Sequence, residues 1–257
     1  MRVITANVNG IRAAARKGFY SWMSRQRADI VCVQETRAQV HQLEDKIFWP
    51  KAYHSYFFDA QKKGYSGVAL YCKRQPDRVL RGMGWPEADQ EGRCIRADFG
   101  DLSVLSVYVP SGSSGDHRQA AKYRFMREFE RFMGDLRKEQ RHVIFCGDWN
   151  IAHKNIDIKN WRSNQKNSGF LPKERAWLSK LFDKEGWVDV FREINDKEDQ
   201  YTWWSNRGRA REKNVGWRID YHIATPEIAK TATKDRTYKD KWFSDHAPLI
   251  IDYDYDL

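Results

Sequence analysis

Apolar residues along this chain gather into short runs rich in β-branched side chains, at Val3–Ala6, Ile30–Val33, Gly67–Tyr71, Ser103–Val109, Val143–Cys146, Ile219–Ala224 and Leu249–Tyr253. Runs of roughly four to eight apolar residues bounded by polar turns fit buried strands. Between them the period changes. Phe125, Phe129, Phe132, Met133 and Leu136 fall on one stripe at helical spacing, and Trp177, Leu178, Leu181 and Phe182 do the same. The second stripe follows Pro172, whose missing N–H suits a first helical turn. Interleaved strands and helices predict α/β or α+β layering, and leave open whether the strands form one sheet or two.

No Gly/Ser/Pro-rich linker interrupts the pattern, so the 257 residues are expected to form one domain spanning 1–257. The longest unpatterned stretch, about Asn150 to Leu171, is full of Asn, Lys and aromatic residues, as a functional loop in a compact domain would be. Lys and Arg number 45 against 35 Asp and Glu, a formal charge of +10 that favours a polyanionic partner, with ordinary solubility charge as the alternative. Cys32, Cys72, Cys94 and Cys146 sit mostly in apolar runs without Cys-x-x-Cys spacing, which reads as buried thiols rather than a zinc site. The first residues turn polar too quickly for a signal peptide, and no apolar run approaches a membrane span. The expectation is a soluble, cytoplasmic protein.

Candidate chemistry lies where apolar strands end in polar residues, because a strand end holds a carboxylate or amide rigidly beside its neighbours. Five places qualify: Asn7 with Asn9, Glu35, Asp148 with Asn150, Asp220, and Ser244-Asp245-His246. Each alone could be an ordinary turn residue bonding local backbone. Together they make an inventory of oxygen ligands with one well-placed His and no Cys, which suits Mg²⁺ or Mn²⁺ better than zinc. Val3–Asn9 and Ile144–Asn150 also echo each other, both running from a strand into a polar-x-Asn pair, as if two strand ends served one site.

These residues and their surroundings resemble the exonuclease III family of AP endonucleases, bacterial type, within the endonuclease/exonuclease/phosphatase superfamily. The resemblance rests on Asn7–Arg12, Val33–Thr36, Gly147–His153, Asn167–Phe170, Tyr201–Ser205, Gly216–Tyr221 and Ser244–Pro248, in that order over nearly the whole chain. Arg37 stands where the family usually has Lys, and Asn9 where eukaryotic relatives carry Asp. The resemblance implies a DNase I-like four-layer sandwich, two face-to-face mixed β-sheets flanked by helices. It implies a DNA repair nuclease that cleaves the phosphodiester 5′ to an abasic site in duplex DNA, with 3′ to 5′ exonuclease and end-trimming activity. The expected cofactor is Mg²⁺, with Mn²⁺ possible; the partner is double-stranded DNA with abasic sites or 3′ ends, and the protein is expected to be a monomer without membrane association.

By the same resemblance Asn7, Glu35, Asp148, Asn150, Asp245 and His246 surround the metal, and Tyr108, Asp148, Asn150, Asp220 and His246 are catalytic. Asp148 would orient or deprotonate the attacking water, Asn150 and Tyr108 would donate to phosphate oxygens, and Asp220 would fix the His246 ring. Trp203, Trp217 and Ile219 would wall an apolar pocket for a sugar that lacks its base, while Asn160, Asn164 and Asn167 would bond DNA phosphates. Arg207, Arg209 and Arg211 are expected near the same face. Three other readings compete: a predominantly 3′ to 5′ exonuclease; a non-catalytic nucleic-acid-binding regulator, which would be expected to lose the metal and water groups that remain here; and a lipid or inositol phosphatase, disfavoured by the Trp pocket and the lack of a membrane-facing apolar segment.

Overall fold

In the computed structural model, which describes residues 1–257, the chain lays down fourteen strands. β1 (Arg2–Asn7), β2 (Ile30–Gln34), β3 (His54–Phe58) and β4 (Val68–Cys72) precede β5 (Arg78–Arg81), β6 (Cys94–Phe99), β7 (Leu102–Tyr108) and β8 (His142–Asp148). β9 (Val188–Asp189), β10 (Trp203–Trp204), β11 (Gly216–Trp217), β12 (Asp220–Ala224), β13 (Ala232–Thr237) and β14 (Leu249–Tyr253) complete the set. All seven apolar runs are strands. They form two six-stranded sheets, ordered β13-β14-β1-β2-β4-β3 and β5-β6-β7-β8-β12-β9, with the ribbon β10-β11 apart. Each sheet is mixed, with one parallel pair, β1 with β2 and β7 with β8.

Alternation along each strand builds the layers. Val3, Ile30, Cys32 and Leu70 of the first sheet meet Ile95, Val104, Ile144 and Cys146 of the second in one core between the sheets. Their chain neighbours Ile4, Val31, Val33 and Ala69 point outward and are covered by Phe19, Trp22 and Met23 of the helix Phe19–Arg25. On the far side, Leu105, Val107, Val143 and Phe145 are covered by the stripes of the helices Asp116–Lys138 and Pro172–Asp183. A residue buried on this scale contributes about 1.5–3 kcal/mol by removal from water. All four thiols are free and buried. No helix is long and apolar enough to cross a membrane.

The topology also explains where the chemistry gathers. The two parallel pairs end at one rim of the sandwich, and β12 and β14, antiparallel to β8 and β1, begin there. Just below this rim a polar bridge joins the sheets: Thr5 Oγ1 donates to Gln34 Oε1 (3.1 Å), Gln34 Nε2 to Ser106 Oγ (2.9 Å), and Ser106 Oγ to the Val33 carbonyl (2.9 Å). Each buried polar group here has a partner, so the bridge fixes the offset between the sheets without an unsatisfied donor.

Candidate active site

Register aligns the second sheet's contribution. Tyr108 pairs with Asp148, and Asp148 with Asp220, so three polar side chains stand in one row across neighbouring strands. The first sheet supplies Asn7 at the end of β1 and Glu35 just past β2. Asn7 joins the two sheets. Its Nδ2 donates to Glu35 Oε2 (3.0 Å) and to Asp148 Oδ2 (2.9 Å), while its Oδ1 accepts from the Asn9 backbone N–H (3.0 Å). The two strand ends that echo each other in sequence, β1 and β8, therefore do serve one site.

Four of the rim residues adopt left-handed backbone: Asn9 (φ 45), Glu35 (φ 53), Arg37 (φ 49) and Asn150 (φ 52). For residues other than Gly this conformation costs about 1–3 kcal/mol each, and it persists where surrounding bonds hold it. Those bonds are present. Glu35 Oε1 accepts from Arg37 Nη2 (2.7 Å) and Nε (3.1 Å). Asn150 donates its backbone N–H to Asp148 Oδ1 (2.8 Å) and its Nδ2 to Asp148 Oδ2 (3.2 Å) and the Val109 carbonyl (2.9 Å).

His246 stands opposite. Its Nδ1 lies 2.9 Å from Asp220 Oδ2, and its Nε2 is 3.8 Å from Asp148 Oδ2. Burial alone would lower the imidazole pKa, but Asp220 and Asp148 hold it up at about 10, so the ring is an imidazolium with Nε2–H turned toward the other carboxylates. Burial pushes the Asp148 carboxyl up to about 7; the His246 charge opposes this and the nearby Asp220 and Glu35 add to it. Burial also raises the Tyr108 phenol, with Glu35 and Asp148 close by, so it remains a neutral donor. Asp245 behaves differently: against burial, the His246 charge and the donors Asn9 Nδ2 (2.7 Å) and Trp203 Nε1 (3.0 Å) hold its carboxyl below the usual range.

Glu35, Asp148 and His246 bring potential ligand atoms within 4.8 Å of one another. Carboxylates buried deeply enough to raise the Asp148 pKa, with one another's charge adding to it and amide groups beside them, are an oxygen-rich donor set that fits a hard divalent cation. His246 offers this set either a hydrogen-bond donor, while Asp220 and Asp148 hold its proton, or, once deprotonated beside a cation, a ring nitrogen.

A cleft of about 910 Å³ opens over these groups, and Trp203, Trp217 and Ile219 line it together with Glu35, Asp148 and His246. Trp203 and Trp217 pair in register across β10 and β11 and meet edge to face, centroids 6.1 Å apart at 86°. Of the three loop asparagines only Asn167 lines the cleft. Asn160 borders a second cavity of about 550 Å³ beside Trp161 and Asp199, and Asn164 lines neither. The three are chained instead, Asn167 Nδ2 donating to Asn164 Oδ1 (2.8 Å) and Asn164 Nδ2 to the Asn160 carbonyl (3.0 Å). Within the stretch 150–171 lie a single 3₁₀ turn, Asn155–Asp157, a four-residue helix, Trp161–Asn164, and an isolated bridge from Ile158 to Trp217.

Several residues that serve the site were not singled out from sequence. Arg93, 1% exposed, donates Nη1 to the Tyr108 carbonyl (2.9 Å) and lies 4.9 Å from the Tyr108 ring. Thr202 Oγ1 accepts the N–H groups of Ile219 (3.2 Å) and Asp220 (3.1 Å). Ser244, by contrast, belongs to a strand-end group already read from sequence; its Oγ donates to the Asn7 carbonyl (2.6 Å) and accepts the His246 N–H (3.0 Å), so it fastens the His246 turn to β1. Lys122, fully buried, donates to the Asn150 carbonyl (2.8 Å) and pairs with Glu174 (2.6 Å). Lys122 stands three residues before Phe125, in line with the apolar stripe, which was the available signal for a buried cation.

The sequence profile of the Endonuclease/Exonuclease/phosphatase family matches residues 4–246. The chain is 39% identical over 253 residues to an exodeoxyribonuclease of Bacillus subtilis, covering 98% of both chains. It is 36% identical over 254 residues to the DNA repair nuclease APEX1 of Danio rerio, covering 98% of this chain and 81% of that one. The solved structure of an AP endonuclease from Archaeoglobus fulgidus superposes with a TM-score of 0.89 at 28% identity, covering 99% of this chain and all of that one. With the fold, the strand-end carboxylates and these relatives in agreement, the chain belongs to the endonuclease/exonuclease/phosphatase family and is one of its nucleases.

Proposed function

We propose that this DNA repair nuclease hydrolyses the phosphodiester 5′ to an abasic site in duplex DNA, and removes nucleotides and blocked ends from 3′ termini at the same centre. The observation that carries this reading is one cleft with two unlike halves: an apolar wall of Trp203, Trp217 and Ile219 beside the charged group Glu35, Asp148 and His246. The charged half suits any phosphate ester. The apolar half suits a sugar without a base, since an intact nucleotide brings a polar, bulky group to a surface that offers it few partners.

Asp148, whose carboxyl neighbours the donors of Asn7 and Asn150, takes the proton of the attacking water. The His246 imidazolium, the Asn150 amide and the Tyr108 phenol donate to non-bridging oxygens, where charge builds as the bond breaks. Asp220 keeps His246 charged and oriented. A divalent cation, Mg²⁺ or Mn²⁺, held by Glu35 with Asn7, Asp148, Asn150 and Asp245 as further oxygen ligands, would supply positive charge to the phosphoryl and leaving oxygens. Asn167, with Asn164 and Asn160 behind it, contacts backbone phosphates. The protein acts as a monomer of one domain on chromosomal DNA in the cytoplasm.

The test is cleavage of a duplex with one abasic analogue, run beside a recessed 3′ end, with and without EDTA. Incision at the analogue and digestion from the end should both stop with EDTA and return with Mg²⁺. Cleavage that resists EDTA would remove the cation from the scheme; digestion without incision would leave an exonuclease.

A further inference from the structure

Beside the cleft, the neighbours Trp242 and Phe243 have opposite fates. Phe243 is 3% exposed and packs against Phe19, Trp22 and Tyr238, whereas Trp242 is 53% exposed, more than any other large hydrophobic residue of the chain. The group that meets Trp242 is a cation. The Arg211 guanidinium lies 4.7 Å from the Trp242 ring and equally close to the Trp204 ring, and Lys239 Nζ is 5.5 Å from Trp204. Arg211 Nη1 donates to the Ser244 carbonyl (3.3 Å), and its Nη2 is buried without a partner. Trp204 follows the cleft residue Trp203, and Ser244 precedes Asp245, so this patch continues the rim of the cleft.

Three cations here lack ion-pair partners. Asp240 is taken by Arg236 and Glu212 lies against Arg209, while Lys239, Lys241 and Arg211 have no carboxylate within ion-pair reach. On Lys239 burial and the nearby Arg211 disfavour the charged form, and Asp199 offsets them only in part. Arg211 against the open indole, with Lys239 beside Trp204 and Lys241 next in sequence to Trp242, is a surface suited to a polyanion that also offers apolar faces. An apolar protein surface seated here would bury those charges unpaired, at a cost.

We propose that Lys239, Lys241 and Trp242 form a second DNA contact outside the cleft, which holds the duplex flanking the lesion: the lysines neutralise backbone phosphates and the indole lies against a deoxyribose. The inference rests on the reading of the chain as a DNA nuclease but not on which bond it cuts. It assigns part of substrate affinity to a surface that has no share in the chemistry.

Wild type, W242A and K239Q/K241Q would be compared on duplexes with one abasic analogue and flanks lengthened stepwise on each side. On the shortest flanks the three proteins should match in kcat/KM. On long flanks the variants should lose about five- to tenfold, on the KM side with kcat unchanged, and the double variant's slope of log affinity against log salt should flatten by about 1.8, two phosphates at about 0.9 each. Equal losses at every flank length, a loss confined to kcat, or an unchanged salt slope would overturn the surface. Binding of the same proteins to undamaged long duplex separates this proposal from the assignment of the cleavage reaction: a Lys239/Lys241-dependent salt slope there supports the surface even if wild type fails to incise, and wild-type incision with unaffected variants removes the surface alone. Should W242A melt several degrees lower, K239Q/K241Q decides, because neither lysine belongs to the core. Inhibition of the long-flank advantage by an acidic peptide but not by undamaged duplex would point to a protein partner and count against DNA.

Discussion

At the residue scale, the site is a set of groups whose charge states depend on one another. Asp148 is useful as a base only when ionised, and His246 as a donor to phosphate only when protonated; the arrangement keeps both forms available at neutral pH by standing each beside the other. Removing the base while keeping its shape should separate chemistry from binding. Asp148→Asn is expected to lower kcat by about 10² to 10⁴, with duplex affinity kept or improved as one negative charge leaves the cleft. Single-turnover rates beside equilibrium binding check this, and a parallel loss of affinity would make Asp148 a structural group. For His246, Asp220 is the largest influence that favours the charge. Asp220→Asn should therefore lower the imidazole pKa, so that activity is lost on the alkaline side at a lower pH than in wild type. Profiles of kcat/KM against pH would show it; an unmoved alkaline limb would mean that His246 does not act as an acid. The same shift has a sign for stability. Because the folded-state pKa of about 10 lies above the ordinary value of 6.5, the pair's contribution is complete below about pH 6.5 and is lost as pH rises through about 10.

At the scale of elements, what could be read from sequence and what could not divide along burial. Strands covered on both faces, such as β1, β2, β8 and β14, announce themselves as unbroken apolar runs. The edge strands β3, β5 and β13 do not, because exposed positions carry His54, Arg78, Arg81, Lys234 and Arg236. β6 is fully buried yet reads Cys-Ile-Arg-Ala-Asp-Phe; its charges are satisfied sideways, Arg96 by Asp98 (2.6 Å) and Glu139 (2.5 Å), which no local pattern reveals. The site shows the same division. Groups at strand ends were legible, but braces from remote segments were not. The fullest example is the buried pair Lys122–Glu174. Lys122 holds the Asn150 carbonyl, while Glu174 Oε2 accepts the N–H groups of Gly169 (2.7 Å) and Leu171 (3.0 Å), the segment that lies against Trp217. One ion pair thus ties two helices to both the Asn150 turn and the wall that carries Trp217. Losing one partner strands the other charge, at about 3–5 kcal/mol, whereas neutralising both together costs far less. K122M should melt well below wild type, and K122M/E174Q should recover most of the stability while kcat stays down about tenfold or more with KM little changed. Thermal melts paired with steady-state kinetics decide it. Recovery of kcat together with stability would reduce the pair to a structural role.

At the scale of the whole molecule, the sandwich brings distant chain segments to one rim and lets each half of the cleft have a separate origin. The charged half comes from ends of both sheets, held in offset by the Thr5–Gln34–Ser106 bridge. The apolar half comes from the ribbon β10-β11 and the loop before the helix Pro172–Asp183, where Phe170 meets Trp217 edge on, centroids 6.5 Å apart. Trp203 itself joins the halves twice, through its bridge with His246 and its bond to Asp245. Trp203 is therefore a poor residue for testing the pocket, since its loss would disturb Asp245 as well. Trp217 makes no bond to the charged half. Shrinking it by Trp217→Ala should reduce incision at an abasic analogue by about ten- to a hundredfold, the effect of losing one apolar wall that positions the extruded sugar. Digestion from a plain recessed 3′ end should fall much less, because that reaction draws its positioning from phosphate contacts, which the net charge of +10 supplies broadly. Both substrates would be assayed at one salt and one Mg²⁺ concentration, so that neither screening nor cation occupancy differs between them. Equal losses would mean that Trp217 supports the Gly169–Phe170 turn beneath Asn150 rather than a sugar pocket, and the preference for abasic sites would need another source.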